Sequence, residues 1–167
     1  IKARASATHI AGTSNPGATR FSAGGVARNI AHNLASLRIA TALVSAVGND
    51  EAGSMVLGET GRAGVDVSPV LRLSGRTGTY VAVLDNAGEM STAVNDMALL
   101  EQLTPERIAA CGRLVEAAEL VIADCNVPEA TLEAIAAMAA GKLLVEPVSV
   151  PKAAKLARLQ ERHAVFL

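Results

Sequence analysis

The chain has 167 residues, with 15 basic against 16 acidic side chains and a formal net charge of −1. Half of it is hydrophobic, which excludes disorder by composition, while 2% aromatic content and the absence of Trp leave little for stacking single-stranded nucleic acid. Near-neutral charge also argues against an electrostatic nucleic-acid surface, and the length suits one domain of the usual ~100–200 residues.

In chain order, Ser14-Asn15-Pro16-Gly17 reads as a turn, followed by a short strand through Phe21. Gly24-Gly25 opens a helix, ARNIAHNLASL, in which Ile30, Leu34 and Leu37 recur at helical spacing. TALVSAV (41–47) is an apolar run expected of a strand covered on both faces. Gly48-Asn49-Asp50 breaks it, and Asp50 is placed to cap a helix ending around Gly61–Gly64.

Between Val70 and Val94 the texture changes. TYVAVLD (79–85) and EMSTAV (89–94) flank Asn86-Ala87-Gly88 and read as an antiparallel hairpin. From Thr104 the strand–helix alternation returns. TPERIAACGRLVEAA is expected as one helix with Pro105 at its first position, ELVIAD (119–124) as a buried strand, and PEATLEAIAAMAA as a helix. LLVEPV (143–148), PKAAKLARLQERH and AVFL continue as strand, helix and strand. Such units imply an α/β fold with a parallel sheet and right-handed crossovers, beside a small antiparallel sheet.

Cys111 and Cys125 make no disulfide framework and no zinc spacing, and no apolar run approaches the ~20 residues of a membrane span. The expected setting is cytoplasmic, with neither membrane nor nucleic acid as a partner. His32 and His163 read as solvated helix residues, and no Ser–His–Asp or HExxH spacing occurs.

Ligands of open α/β sheets lie beyond the carboxyl ends of the strands. Asp124 and Asn126, Glu146, and the 48–50 turn occupy those places, with helix capping as the competing explanation. Gly24 and Gly25 let a ligand approach the backbone at a helix N-terminus, with Asn29 one turn on; tight helix–sheet packing would demand the same glycines. Asn95 and Asp96 offer adjacent donors and acceptors where the hairpin ends, or simply an Asx turn.

Taken together, GGVARNIAHNLASL and SAVGND resemble the first signature of the PfkB (ribokinase-like) sugar and nucleoside kinases. SNPG, LDNAGEM, the NDM tripeptide, VIADCN and PVS with a following Lys resemble, more narrowly, the pseudouridine-kinase branch of that family. The resemblance implies a ribokinase-like, Rossmann-type core with a small β lid, the lid lying in segments about 8–22 and 70–96. It implies ATP-dependent phosphorylation of a ribosyl 5′-hydroxyl, most narrowly that of pseudouridine, with Mg²⁺, a monovalent cation such as K⁺, and a homodimer formed through the lid. On the same ground Gly24, Gly25, Asn29, Asn95, Asp96, Asp124 and Asn126 would bind the acceptor, Thr79 and Tyr80 would assist from the lid, and Glu146 would face nucleotide and metal.

Arg38 stands where the family signature has a small residue, and Glu146 where Asp is common. The first strand, the nucleotide site and the catalytic Asp of the family are not found here, so the chain is expected to be the N-terminal part of a longer enzyme and inactive alone. Another sugar or nucleoside acceptor, such as ribose, and a non-catalytic ligand-binding or dimerisation module remain as alternatives.

Overall fold

A computed structural model describes residues 1–166. The first half runs β1 (Lys2–Ala5), β2 (Gly17–Arg20), α1 (Val26–Ser36), β3 (Ala46–Gly48), α2 (Glu51–Arg62), β4 (Leu71–Leu73), β5 (Thr79–Leu84) and β6 (Met90–Asp96). A 3-10 turn at Ala98–Gln102 leads to α3 (Pro105–Ala109), α4 (Gly112–Ala117), β7 (Val121–Asp124), α5 (Glu129–Ala139), β8 (Leu143–Glu146), α6 (Val150–Gln160) and β9 (Val165–Phe166). Leu167, the last residue of the expected final strand, lies outside the described residues.

The α/β alternation and the hairpin are present. The parallel pairing is divided, however, between β3–β4 and β7–β8–β9. β3 is shorter than the apolar run 41–47 suggested: only Ala46–Gly48 forms the ladder, and Ala42 makes an isolated bridge to Asp66. β4 belongs to this pairing and not to the lid, so the expected lid segment 70–96 starts in the core and enters the lid at Thr79.

The lid sheet has the order β2-β1-β5-β6. It joins both hairpin-like pieces, but it is mixed: β1 pairs antiparallel with β2 and parallel with β5. The strand Lys2–Ala5 was not legible: KARA does alternate polar and apolar residues, but over only four positions and with Ala, a weak strand former, as its sole apolar type.

The helix expected over 104–118 is broken at Cys111, whose φ of −97° and ψ of 8° leave the helical region just before Gly112. Glycine in a helix interior costs roughly 0.5–1 kcal/mol relative to Ala, so the break falls where continuity is weakest. The end of α1 shows what the Arg at position 38 does. Arg38 adopts a left-handed φ of 63°, its N–H donates to the Ala35 carbonyl at 2.8 Å, and the Ile39 N–H donates to the Leu34 carbonyl at 3.0 Å. That pair of bonds is a Schellman motif, built here without the glycine that usually serves it.

Leu103, Leu132, Leu143, Val145 and Leu159 form the fully buried centre, between β7–β8 and the helices packed on them. Ala46 joins the same cluster, so the two parallel pairings share one core. Among the described residues no helix is long and apolar enough to cross a membrane.

Candidate active site

The parallel strands deliver their polar ends together. Asp124 and Glu146 are register partners at the ends of β7 and β8, and the Cys125 N–H donates to the Glu146 carbonyl at 3.0 Å. The start of α1 meets them from 97 residues away: the Ala27 N–H donates to Asp124 Oδ2 at 3.0 Å. α1 has no cap of its own and no acidic residue in its first turn, so Asp124 supplies the anionic partner that its N-terminus lacks. The other oxygen, Oδ1, accepts from the Asn126 N–H at 2.9 Å. Asp124 therefore does not cap the helix that follows it, which was the competing explanation; it reaches across to α1.

The two glycines can now be separated. Gly25 has a φ of 103°, a conformation that strains any residue with a Cβ. Gly24 is different: a Cβ built there meets nothing within 4 Å. Tight helix–sheet packing thus does not require Gly24, and the space in front of it is open. Asn29, in the first turn of α1, is exposed; its Oδ1 accepts from the Arg28 guanidinium at 3.2 Å, and its amide donors have no hydrogen-bond partner among the described residues. Arg28 is itself held by Nε donating to Thr60 Oγ1 at 2.9 Å.

On the other side, Lys152 Nζ donates to Asn126 Oδ1 at 2.5 Å, and Lys155 Nζ donates to the carbonyls of Cys125 at 3.0 Å and Val127 at 2.7 Å. Two lysines of α6 thus clamp the loop after β7; their part was legible only as the Lys following PVS. Glu146 Oε2 accepts from the Val148 N–H at 2.8 Å, and Val148 has a left-handed φ of 66°. For a β-branched residue this is costly, and such strain gathers at functional sites. Burial pushes the Cys125 thiol up, against the opposing pull of Lys155, so it is an uncharged packing group.

Thr79, Tyr80, Asn95 and Asp96 form a second group in the lid. Thr79 pairs with Asp96 and Tyr80 with Asn95 across β5 and β6, so the two pairs lie on opposite faces of the lid. Asp96 Oδ1 accepts from the Ala98 N–H at 3.2 Å, so the Asx turn foreseen as the alternative is present. Asp96 also borders a cleft of about 230 Å³ with Gly75, Arg76, Leu99 and Gln102. No hydrogen bond joins the lid group to the strand-end group among the described residues.

The two histidines need correction. His163 is not simply solvated: its Nε2 lies 2.9 Å from Glu133 Oε2 on α5. His32 has a buried Nδ1 without a protein partner. Nor is His163 a helix residue: α6 ends at Gln160 and the ring sits in the bend before β9, whereas His32 does lie in α1.

No group of three or more His, Cys, Asp or Glu side chains among the described residues could hold a metal ion. Glu146 alone does not make such a site.

The profile described as pfkB family carbohydrate kinase matches residues 4–164. A pseudouridine kinase of Escherichia coli (strain K12) is 42% identical over 155 residues, covering 91% of this chain and 50% of that protein. An uncharacterized sugar kinase of the same bacterium is also 42% identical, covering 93% of this chain and 44% of its own length. A solved carbohydrate kinase from Agrobacterium tumefaciens superposes with a TM-score of 0.85 at 31% identity, over 95% of this chain and 53% of that one. The chain spans about half the length of the curated relatives it matches.

Proposed function

The chain belongs to the pfkB family of carbohydrate kinases, and from that premise we propose that it forms the acceptor-binding part of an ATP-dependent kinase for the ribosyl 5′-hydroxyl of pseudouridine. The observation that carries the reading is the meeting of Asp124 with the N-terminus of α1 behind the open face of Gly24. A helix N-terminus, an exposed amide at Asn29 and a carboxylate–amide pair at Asp124 and Asn126 give a polyol donors and acceptors from rigid elements. Identity alone does not choose the acceptor, since relatives of equal identity include a pseudouridine kinase and a sugar kinase without a named acceptor. The NDM tripeptide at 95–97 favours the nucleoside.

In this reading Gly24, Gly25, Asn29, Asp124 and Asn126 seat the ribosyl group, Asp96 with Thr79 reads the base from one face of the lid, and Asn95 and Tyr80 support that pair from the other face. Their contribution is orientation, which removes translational and rotational freedom before transfer. ATP, when bound, supplies the γ-phosphoryl group. Mg²⁺ and a monovalent cation would accompany it; of this chain's residues Glu146 would face that side, without forming a metal site by itself. The Glu146 oxygen not engaged by Val148 has no hydrogen-bond partner among the described residues.

The lid also suggests a second copy as partner. Phe21, just past β2, and Val94 are 64% and 68% exposed, and Met90 and Tyr80, exposed and in contact with each other, lie on the face opposite Val94. Exposed apolar groups on one small sheet are what a homodimer would cover. Two free cysteines suit a cytoplasmic enzyme.

The test is an acceptor panel of pseudouridine, uridine, ribose and adenosine with ATP and the full-length gene product. Pseudouridine is expected to lead in kcat/KM by about tenfold or more, a difference of roughly 1.4 kcal/mol in transition-state stabilisation. A lead by ribose or uridine contradicts the acceptor assignment, and no transfer to any acceptor contradicts the kinase reading in favour of a binding module. Asp96→Ala is expected to raise KM for pseudouridine; unchanged KM removes Asp96 from the site.

A further inference from the structure

Asp50 uses both carboxylate oxygens, and only one of them is needed to cap α2. Its Oδ1 accepts from the Gly53 N–H at 2.7 Å, the cap, and also from the Thr77 hydroxyl at 2.5 Å. Its Oδ2 accepts from the Thr77 N–H at 2.8 Å. Thr77 Oγ1 in turn accepts from the Gly48 N–H at 2.9 Å, closing a ring of bonds around a side chain that is 8% exposed. The Asp50 carboxyl is held below its ordinary value of 3.8, the Thr77 hydroxyl being the largest cause, so acid works against the ring.

The backbone around this ring is in close contact. A Cβ on Gly48 would lie 2.4 Å from the Gly75 carbonyl oxygen and 2.8 Å from the Thr77 nitrogen. One on Gly53 would lie 2.5 Å from the Gly48 oxygen and 2.9 Å from Thr77 Oγ1. The turn between β3 and α2 is therefore pressed onto the segment that leads into β5. At the next step Gly78 touches the exit of the hairpin, where a Cβ would meet Met97 Sδ at 2.9 Å and the Asp96 oxygen at 3.6 Å. Entry and exit of the β5–β6 hairpin thus pass through one joint, beside the register pair Thr79 and Asp96.

We infer that Asp50 is a positioning residue: by holding Thr77 it fixes the root of the β5–β6 hairpin, and so sets Thr79 and Asp96 over the acceptor. The inference deepens the proposed function and rests on it for the acceptor, but not for the joint. The rival explanation is that Asp50 serves α2 alone. Asp50→Asn separates the two, because Asn caps a helix about as well as Asp, while its amide nitrogen cannot accept the Thr77 N–H. Thr77→Val keeps the branched shape and removes the hydroxyl, and Thr77→Ser restores it.

The experiment measures amide hydrogen exchange without ligand in the full-length gene product, together with steady-state kinetics on the acceptor it phosphorylates. Asp50→Asn is expected to speed exchange over 77–82 by about tenfold while residues 55–62 stay within about threefold of the parent, because hydrogen exchange reports local opening. It is expected to raise acceptor KM about tenfold with kcat changed less than about threefold, the signature of lost acceptor positioning. Thr77→Val should behave alike and Thr77→Ser like the parent; where Asp50→Asn does not fold, Thr77→Val decides. Unchanged exchange at 77–82, or equal acceleration of the hairpin root and α2, overturns the joint. Accelerated exchange with unchanged KM overturns the positioning role. If no acceptor is phosphorylated, the proposed function fails, whereas the exchange result still decides the joint.

Discussion

In the β7–β8–β9 sheet, Leu143 and Val145 are fully buried, and Leu132 and Leu159 press on them from α5 and α6. In the lid sheet, β2 is exposed along its whole length and β6 at every position but Ala93. Both are hydrogen-bonded sheets of one chain, yet only the first buries large side chains; the buried residues of the lid strands are Ala5 and Ala82. A sheet that buries little must be held by its connections or by what it covers. The lid has one such connection at Asp50 and Thr77, and the acceptor and a second copy are what it would cover.

The contrast can be broken by mutation in the full-length gene product, with urea unfolding as the measure. Leu143→Ala is expected to cost about 2–5 kcal/mol, since it removes a fully buried side chain and leaves a cavity. Thr131→Val comes next, at about 1–3 kcal/mol: its buried hydroxyl donates to the Leu103 carbonyl at 2.5 Å, and that acceptor would lose its partner. Arg38→Gly should raise stability by roughly 0.5–1 kcal/mol, because glycine relieves the left-handed backbone at 38 and gives back part of the gain as chain entropy. Val94→Ala, on the exposed lid, should stay within about 0.5 kcal/mol of the parent. A Val94→Ala cost comparable to Leu143→Ala would erase the distinction between the two sheets.

Much of the fold was legible because its signals are local. Asp50 before a helix, Asn86-Ala87-Gly88 between alternating strands, and apolar runs at 121–124 and 143–146 each announce an element without help from elsewhere. What failed was whatever depends on pairing at a distance. Lys2–Ala5 becomes a strand because β2 and β5 flank it, and Leu71–Leu73 belongs to the core because β3 accepts it. The site shows the same division. Gly24, Gly25 and Asn29 announce a helix N-terminus, but nothing in the sequence says that Asp124 caps it or that Lys152 reaches Asn126. Thr77 stood unnoticed between two glycines, since its partner lies 27 residues away.

The central claim is that the acceptor is held between the lid pair Thr79–Asp96 and the start of α1 at Gly24–Asn29. Amide hydrogen exchange of the full-length gene product, with and without saturating pseudouridine, tests it most directly. Slowed exchange is expected in both segments, 26–30 and 79–96, at the same ligand concentration. Protection confined to one segment, or absent from both while pseudouridine is phosphorylated, would contradict an acceptor shared between lid and core.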